Sequence, residues 1–125
     1  MSPYIVPGLM YKEIKKLDCE LIVECVCEYF DTTHEVLRKP NRTRERVIAR
    51  QLICYFIRKY TQKTLFEVGQ LIGNRDHTTV IHSINTVNDF LDIKDRKFIK
   101  MIFDIEQLFV EKRKYATNKY QLTFN

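Results

Sequence analysis

The chain has 125 residues, 45% of them hydrophobic, and a formal net charge of +5; this is enough for one core and too little for two ordinary domains. With only three Gly and three Pro, and with long segments at helical spacing, it predicts an all-α domain and gives no sheet signal. No apolar run approaches the roughly 20 residues needed to span a bilayer, and the Met-Ser-Pro-Tyr start lacks a leader pattern, so a cytoplasmic protein with no membrane partner is expected.

In chain order, residues 1–16 predict an N-terminal arm. Tyr4, Ile5, Val6, Leu9 and Met10 make it too apolar for an ordinary disordered tail. A first helix over 18–30 has Asp18 as its N-cap. Its wet face carries Glu20, Glu24, Glu28 and Asp31, with Cys19, Cys25, Ile22, Val26 and Tyr29 on the core side and Cys27 among the acids. The cysteines lack paired metal-ligand spacing and predict reduced thiols. Thr33 can cap a short helix ending before Pro40, which leaves His34 on the surface.

The longest helix is expected from residue 43 or 44 to 60, with Ile48, Leu52, Tyr55 and Phe56 on one stripe and Ile53, Ile57 and Tyr60 broadening it into a central element. Thr64 followed three residues later by Glu67 is a capping-box signature. Gly73-Asn74 tolerates the left-handed backbone that ends a helix, and Asp76 can cap the next, over 76–90. On that helix Val80, Ile84, Val87 and Leu91 share a core stripe, while Thr78, His82, Asn85 and Asp89 point away. Asp92 or Asp95 then opens a last helix carrying Phe98, Ile99, Ile102, Ile105, Leu108 and Phe109. Residues 17–114 form the domain, and 115–125 a polar C-terminal tail.

Helix, tight turn and helix over 65–90 make a helix-turn-helix, whose second helix opens with side chains able to meet base edges in a major groove. Charge strengthens this. Residues 38–63 hold nine basic groups against the single acid Glu45, whereas residues 1–37 sum to −4. An Arg-rich block beside a helix-turn-helix suits phosphates, and Arg42, in the loop after Pro40, can reach along a groove. The alternative for each feature taken alone is a solvated face. No phosphate-cradling Gly-rich loop is present, so no nucleotide is expected; His77 and His82 are wrongly spaced for a metal pair. Neither cofactor nor metal nor catalytic site is expected.

The segment Gly73-Asn74-Arg75-Asp76-His77-Thr78-Thr79-Val80 is similar to the signature Gly-Gly-Arg-Asp-His-Thr-Thr-Val of the C-terminal DNA-binding domain of the bacterial replication initiator DnaA, with only the second Gly changed. Ala49-Arg50-Gln51 and residues 61–69 agree in type and spacing, and the likeness extends over about 21–109. The resemblance implies a helical, Trp repressor-like fold. It implies that Asp76, His77, Thr78 and Thr79 read bases in the major groove of a short asymmetric duplex site, the DnaA box, and that Arg42 enters the adjacent minor groove. Arg50, Gln51, Arg58, Thr61, Leu65, Phe66 and Arg75 would lie near the phosphate backbone or groove walls. Asp76 either caps its helix or accepts from a cytosine amino group. Two departures stand out: Phe66 replaces the family's usual Pro, and Glu45 sits in the basic loop. No counterpart of the family's ATP-binding motor is found, so box binding without duplex melting is the expectation.

The function expected is sequence-specific double-stranded DNA binding in control of replication initiation or transcription, at the nucleoid, in a host or a phage or mobile-element setting. The alternative is a protein-interaction adapter on the same scaffold, engaging a protein partner through the N-terminal arm or the acidic first helix.

Overall fold

The computed structural model describes the backbone of residues 17–124 and the side chains of 17–113; the N-terminal arm lies outside the described residues. Among the described residues six helices follow one another: α1 (Cys19–Tyr29), α2 (His34–Arg38), α3 (Arg44–Tyr60), α4 (Leu65–Leu71), α5 (His77–Asp92) and α6 (Arg96–Phe124). Among the described residues there is no strand, and no helix is long and apolar enough to cross a membrane.

Local signals set the helix starts. Asp18 Oδ1 accepts from Leu21 N at 2.8 Å, and Thr33 Oγ1 from Val36 N at 3.2 Å. Thr64 and Glu67 close the reciprocal capping box, with Glu67 N donating to Thr64 Oγ1 at 3.1 Å and Thr64 N to Glu67 Oε1 at 2.9 Å. Asp95 Oδ1 accepts from Phe98 N at 3.0 Å and so opens α6. At the other ends the chain turns through left-handed residues: Asp31 (φ 53°), Gly73 (φ 105°) with Asn74 (φ 58°), and Lys94 (φ 56°).

α3 is the central element, packed on α1, α5, α2 and α4. Its Leu52, Ile53, Phe56 and Ile57 are fully buried, as are Ile22 and Val26 of α1, Val80 and Val87 of α5, and Ile105 and Phe109 of α6. Phe56 meets Phe109 edge-on at 5.0 Å, and Phe90 stacks on Phe98 at 4.1 Å, which pins the end of α5 to the start of α6.

Four expectations need correction. α3, with 17 residues, is not the longest helix: α6 has 29, and its backbone continues through residues 115–124, which the sequence leaves as a tail. Cys27 is buried rather than exposed among the acids; α1 packs against α2 as well as α3 and α6, so more than one stripe of it is covered. Burial likewise pushes the Cys25 and Cys54 thiols up to about 12, which keeps them protonated. His34 is half-buried against α4 rather than on the surface. Asp76 occupies the N-cap position of α5 but makes no side-chain capping bond.

A buried polar cluster was also missed. Glu106 is fully buried on α6, with Oε2 3.3 Å from Lys59 Nζ and bonded to the Tyr60 hydroxyl, while Oε1 has no hydrogen-bond partner among the described residues. Desolvation pushes its carboxyl above the ordinary 4.5 despite Lys59, and desolvation lowers Lys59. The contribution to stability is fully present below the ordinary 4.5 and is lost as pH rises above it through the raised folded-state value. Glu106→Gln, which cannot ionise, is therefore expected to gain on the wild type as pH climbs from 4 toward 7. Parallel denaturant melts check this, and a pH-independent difference would contradict it.

Candidate nucleic-acid interface

The helix-turn-helix is built from α4, the turn at residues 72–76, and α5. Its tightness depends on two glycines. A Cβ on Gly69 would overlap the carbonyl oxygen of Arg75, and one on Gly73 would overlap that of Arg38. Gly69 permits the close approach in which Arg75 N donates to Gly69 O at 2.9 Å. Gly73 supplies the positive φ as well as the space.

This turn presents the first turn of α5 outward. His77, Thr78 and Thr79 are exposed, while Val80, one residue on, is fully buried. His82, Asn85 and Asp89 continue the exposed face, as the helical spacing predicts. Asp76 turns its carboxylate to His77, with Oδ1 2.8 Å from Nδ1. With Nδ1 as donor to this carboxylate, a neutral His77 keeps Nε2 as an acceptor; when protonated, it offers a second donor there.

Arg58 of α3, Leu65 and Phe66 of α4, and Arg75, Asp76 and His77 line one open groove. Arg58 is exposed, Leu65 half-buried, and Phe66 is 68% exposed, an unusual position for a large apolar ring. Thr61 caps the end of α3: its hydroxyl donates to Ile57 O at 2.6 Å and accepts from Lys63 N at 3.3 Å. Gln51 is half-buried on α3, and Arg42 is exposed in the loop before it. That loop is shaped by Asn41, whose Oδ1 accepts from Thr43 N at 2.8 Å.

Two of the arginines expected near phosphates also bond backbone carbonyls. Arg50 is only 7% exposed and donates to Leu37 O at 3.4 Å and to Asn41 O. Arg75 donates through Nε to Ile72 O at 2.9 Å and through a terminal nitrogen to Lys39 O at 3.4 Å. Burial, then the nearby Arg75 and Arg46, lower the Arg50 guanidinium from its ordinary value. Positive charge is therefore concentrated beside the turn. Sequence reasoning missed His34 and Arg38, which bond backbone carbonyls of α4; no local pattern marks such contacts. Among the described residues no group of three His, Cys, Asp or Glu is arranged to hold a metal ion.

Comparison with known proteins agrees with this geometry. The chromosomal replication initiator protein DnaA of Bacteroides thetaiotaomicron is 34% identical over 112 residues, covering 90% of this chain and 24% of the relative. That of Flavobacterium psychrophilum is 39% identical over 97 residues, covering 77% of this chain and 20% of the relative. For Thermomicrobium roseum the match is 39% over 77 residues, 62% of this chain and 17% of the relative. The chain thus spans at most about a quarter of the length of these relatives. The family model of the bacterial DnaA protein helix-turn-helix matches residues 19–87, more than half of the chain, which therefore belongs to that family.

Proposed function

We propose that the protein binds double-stranded DNA sequence-specifically at a DnaA-box-like site and thereby acts in the control of replication initiation or of transcription, at the nucleoid. The observation that carries this reading is the exposed opening of α5, where His77, Thr78 and Thr79 stand clear of the core beside Arg58 and Phe66. Inserted in a major groove, this turn offers a ring nitrogen, two hydroxyls and two methyl groups to base edges, with Asp76 placed to accept from a cytosine amino group.

Arg42 is the side chain to enter the neighbouring minor groove, since it is exposed, flexible and flanked by fixed backbone. Arg58, Gln51, Thr61 and Leu65 approach the phosphates and groove wall. Phe66 brings an apolar ring where the family usually has Pro, which favours contact with a thymine methyl or a sugar face. Arg50 and Arg75 act indirectly, by holding the loop and the turn. The name of the relatives, chromosomal replication initiator protein, supports a role in replication initiation.

Salt titration tests the electrostatic part. With about five phosphates neutralised, the affinity for duplex DNA falls with salt at a log–log slope near −4.5. Arg58→Ala is expected to reduce the magnitude of the slope by about one and to weaken preferred and scrambled duplexes alike. A flat salt response would count against a phosphate-contacting surface.

A further inference from the structure

The carbonyls that end a helix need donors from outside it. At the end of α4, Gly69 O and Gln70 O receive backbone donors from the turn, Gly69 O from Arg75 N at 2.9 Å and Gln70 O from Gly73 N at 3.3 Å. Leu71 O is met from another element: His34 Nε2 lies 2.6 Å from it and an Arg38 guanidinium nitrogen 3.2 Å, the same nitrogen reaching Gln70 O at 3.1 Å. A carbonyl only accepts, so His34 carries a proton on Nε2. Side-chain donors and positive charge at this end of α4 also suit its dipole.

The stitching continues on both sides. Gly73 lies against Arg38 O, and Arg75 reaches Lys39 O at 3.4 Å. From α3, Arg50 holds Leu37 O at 3.4 Å and Asn41 O, and Asn41 Oδ1 in turn holds Thr43 N at 2.8 Å. Arg42 is therefore flanked by two residues whose backbone is fixed, and the same segment is bonded to the turn that ends one residue before His77. Two guanidiniums, those of Arg50 and Arg75, bond backbone carbonyls of residues 37–41, and a third, that of Arg38, reaches from this segment to carbonyls of α4.

We propose that α2 and the 38–41 segment are a spacer that sets the distance between Arg42 and the opening of α5, with His34 and Arg38 as positioning residues. The inference rests on the DNA-binding reading above, in which those two points enter adjacent grooves. A reader that contacts two grooves at once gains sequence discrimination only while the separation of the two contacts is held; a loosened spacer lets each contact form without the other. His34 and Arg38 thus act on specificity without touching a base.

The test measures binding to the duplex most enriched from a randomised library and to a scrambled duplex of the same composition. The proteins are wild type, His34→Ala, His34→Gln and Arg38→Ala, each with and without Arg42→Ala, and each shown to be folded by thermal melting. In the wild type, Arg42→Ala is expected to lower preference for the enriched duplex; in the His34→Ala and Arg38→Ala backgrounds that penalty should shrink by about fivefold, as for groups coupled in one network. His34→Gln, which keeps a side-chain donor, restores it. Scrambled-duplex binding separates this from a direct phosphate contact, which would weaken both duplexes equally. An Arg42→Ala penalty of the same size in every background, or equal weakening of both duplexes, overturns the spacer. A wild type without any preference overturns the DNA-binding reading itself, and the spacer with it.

Discussion

Gly69→Ala is expected to cost about 3 kcal/mol of stability, the upper part of the range for overpacking a fixed site. One methyl group does this because the obstacle is backbone: the added Cβ would overlap the carbonyl oxygen of Arg75 and crowd its carbonyl carbon at 3.2 Å. To make room, α4 must separate from the turn, which breaks the Arg75 N to Gly69 O bond and turns the start of α5. Chemical denaturation of the variant gives the loss directly. Binding to an enriched duplex should fall further than stability alone accounts for, because surviving folded molecules present His77 and Thr78 at the wrong angle. A variant as stable as the wild type would mean that the turn relaxes more easily than its packing implies.

The second large effect concerns base reading. His77→Ala and Thr78→Ala are each expected to cost about 1–3 kcal/mol on the preferred duplex and to flatten preference at one or two base pairs. Neither should disturb folding, since both side chains are exposed and α5 is anchored through Val80 and Val87. Asp76 adds a finer expectation. Its carboxylate is paired to His77 Nδ1, and Asn serves as well at an N-cap position, so Asp76→Asn should change base preference more than it changes the melting temperature. Equilibrium binding across single-base variants of the duplex, set beside thermal melts, separates the two. If His77→Ala left the ranking of those duplexes unchanged, the major-groove assignment would fall.

Much of the helical framework was legible because the information is local. Asp18, Thr33, Thr64 with Glu67, and Gly73-Asn74 mark boundaries through bonds and backbone angles within a few residues. The exposed face of α5 follows from spacing alone. What sequence could not show is where long polar side chains go once helices pack. Arg50 and Arg75 read as phosphate contacts because they lie in a basic block and a family motif, and nothing local shows that their guanidiniums also bond Leu37 O and Lys39 O, carbonyls brought close by folding. His34 meets Leu71 across 37 residues, and no periodicity encodes such a pairing.

Two misses did carry a signal. Glu106 lies four residues after Ile102 and three before Phe109, on the same stripe of α6, so its burial was implied by the pattern that located the helix. Gly69 sits inside a helical segment, where glycine is unfavourable by about 1 kcal/mol unless a close approach requires it. Cys27 gave no such sign: it is buried although it sits between Glu24 and Glu28 on α1.

The most direct test of the central claim is selection of binding sites by the folded wild-type protein from a randomised duplex library at near-physiological salt. Sequence-specific reading by the α5 opening requires enrichment of a short, asymmetric motif similar to the DnaA box, lost with His77→Ala. Recovery of no motif by a protein that melts cooperatively would contradict the claim and leave the helical scaffold as a protein-interaction adapter.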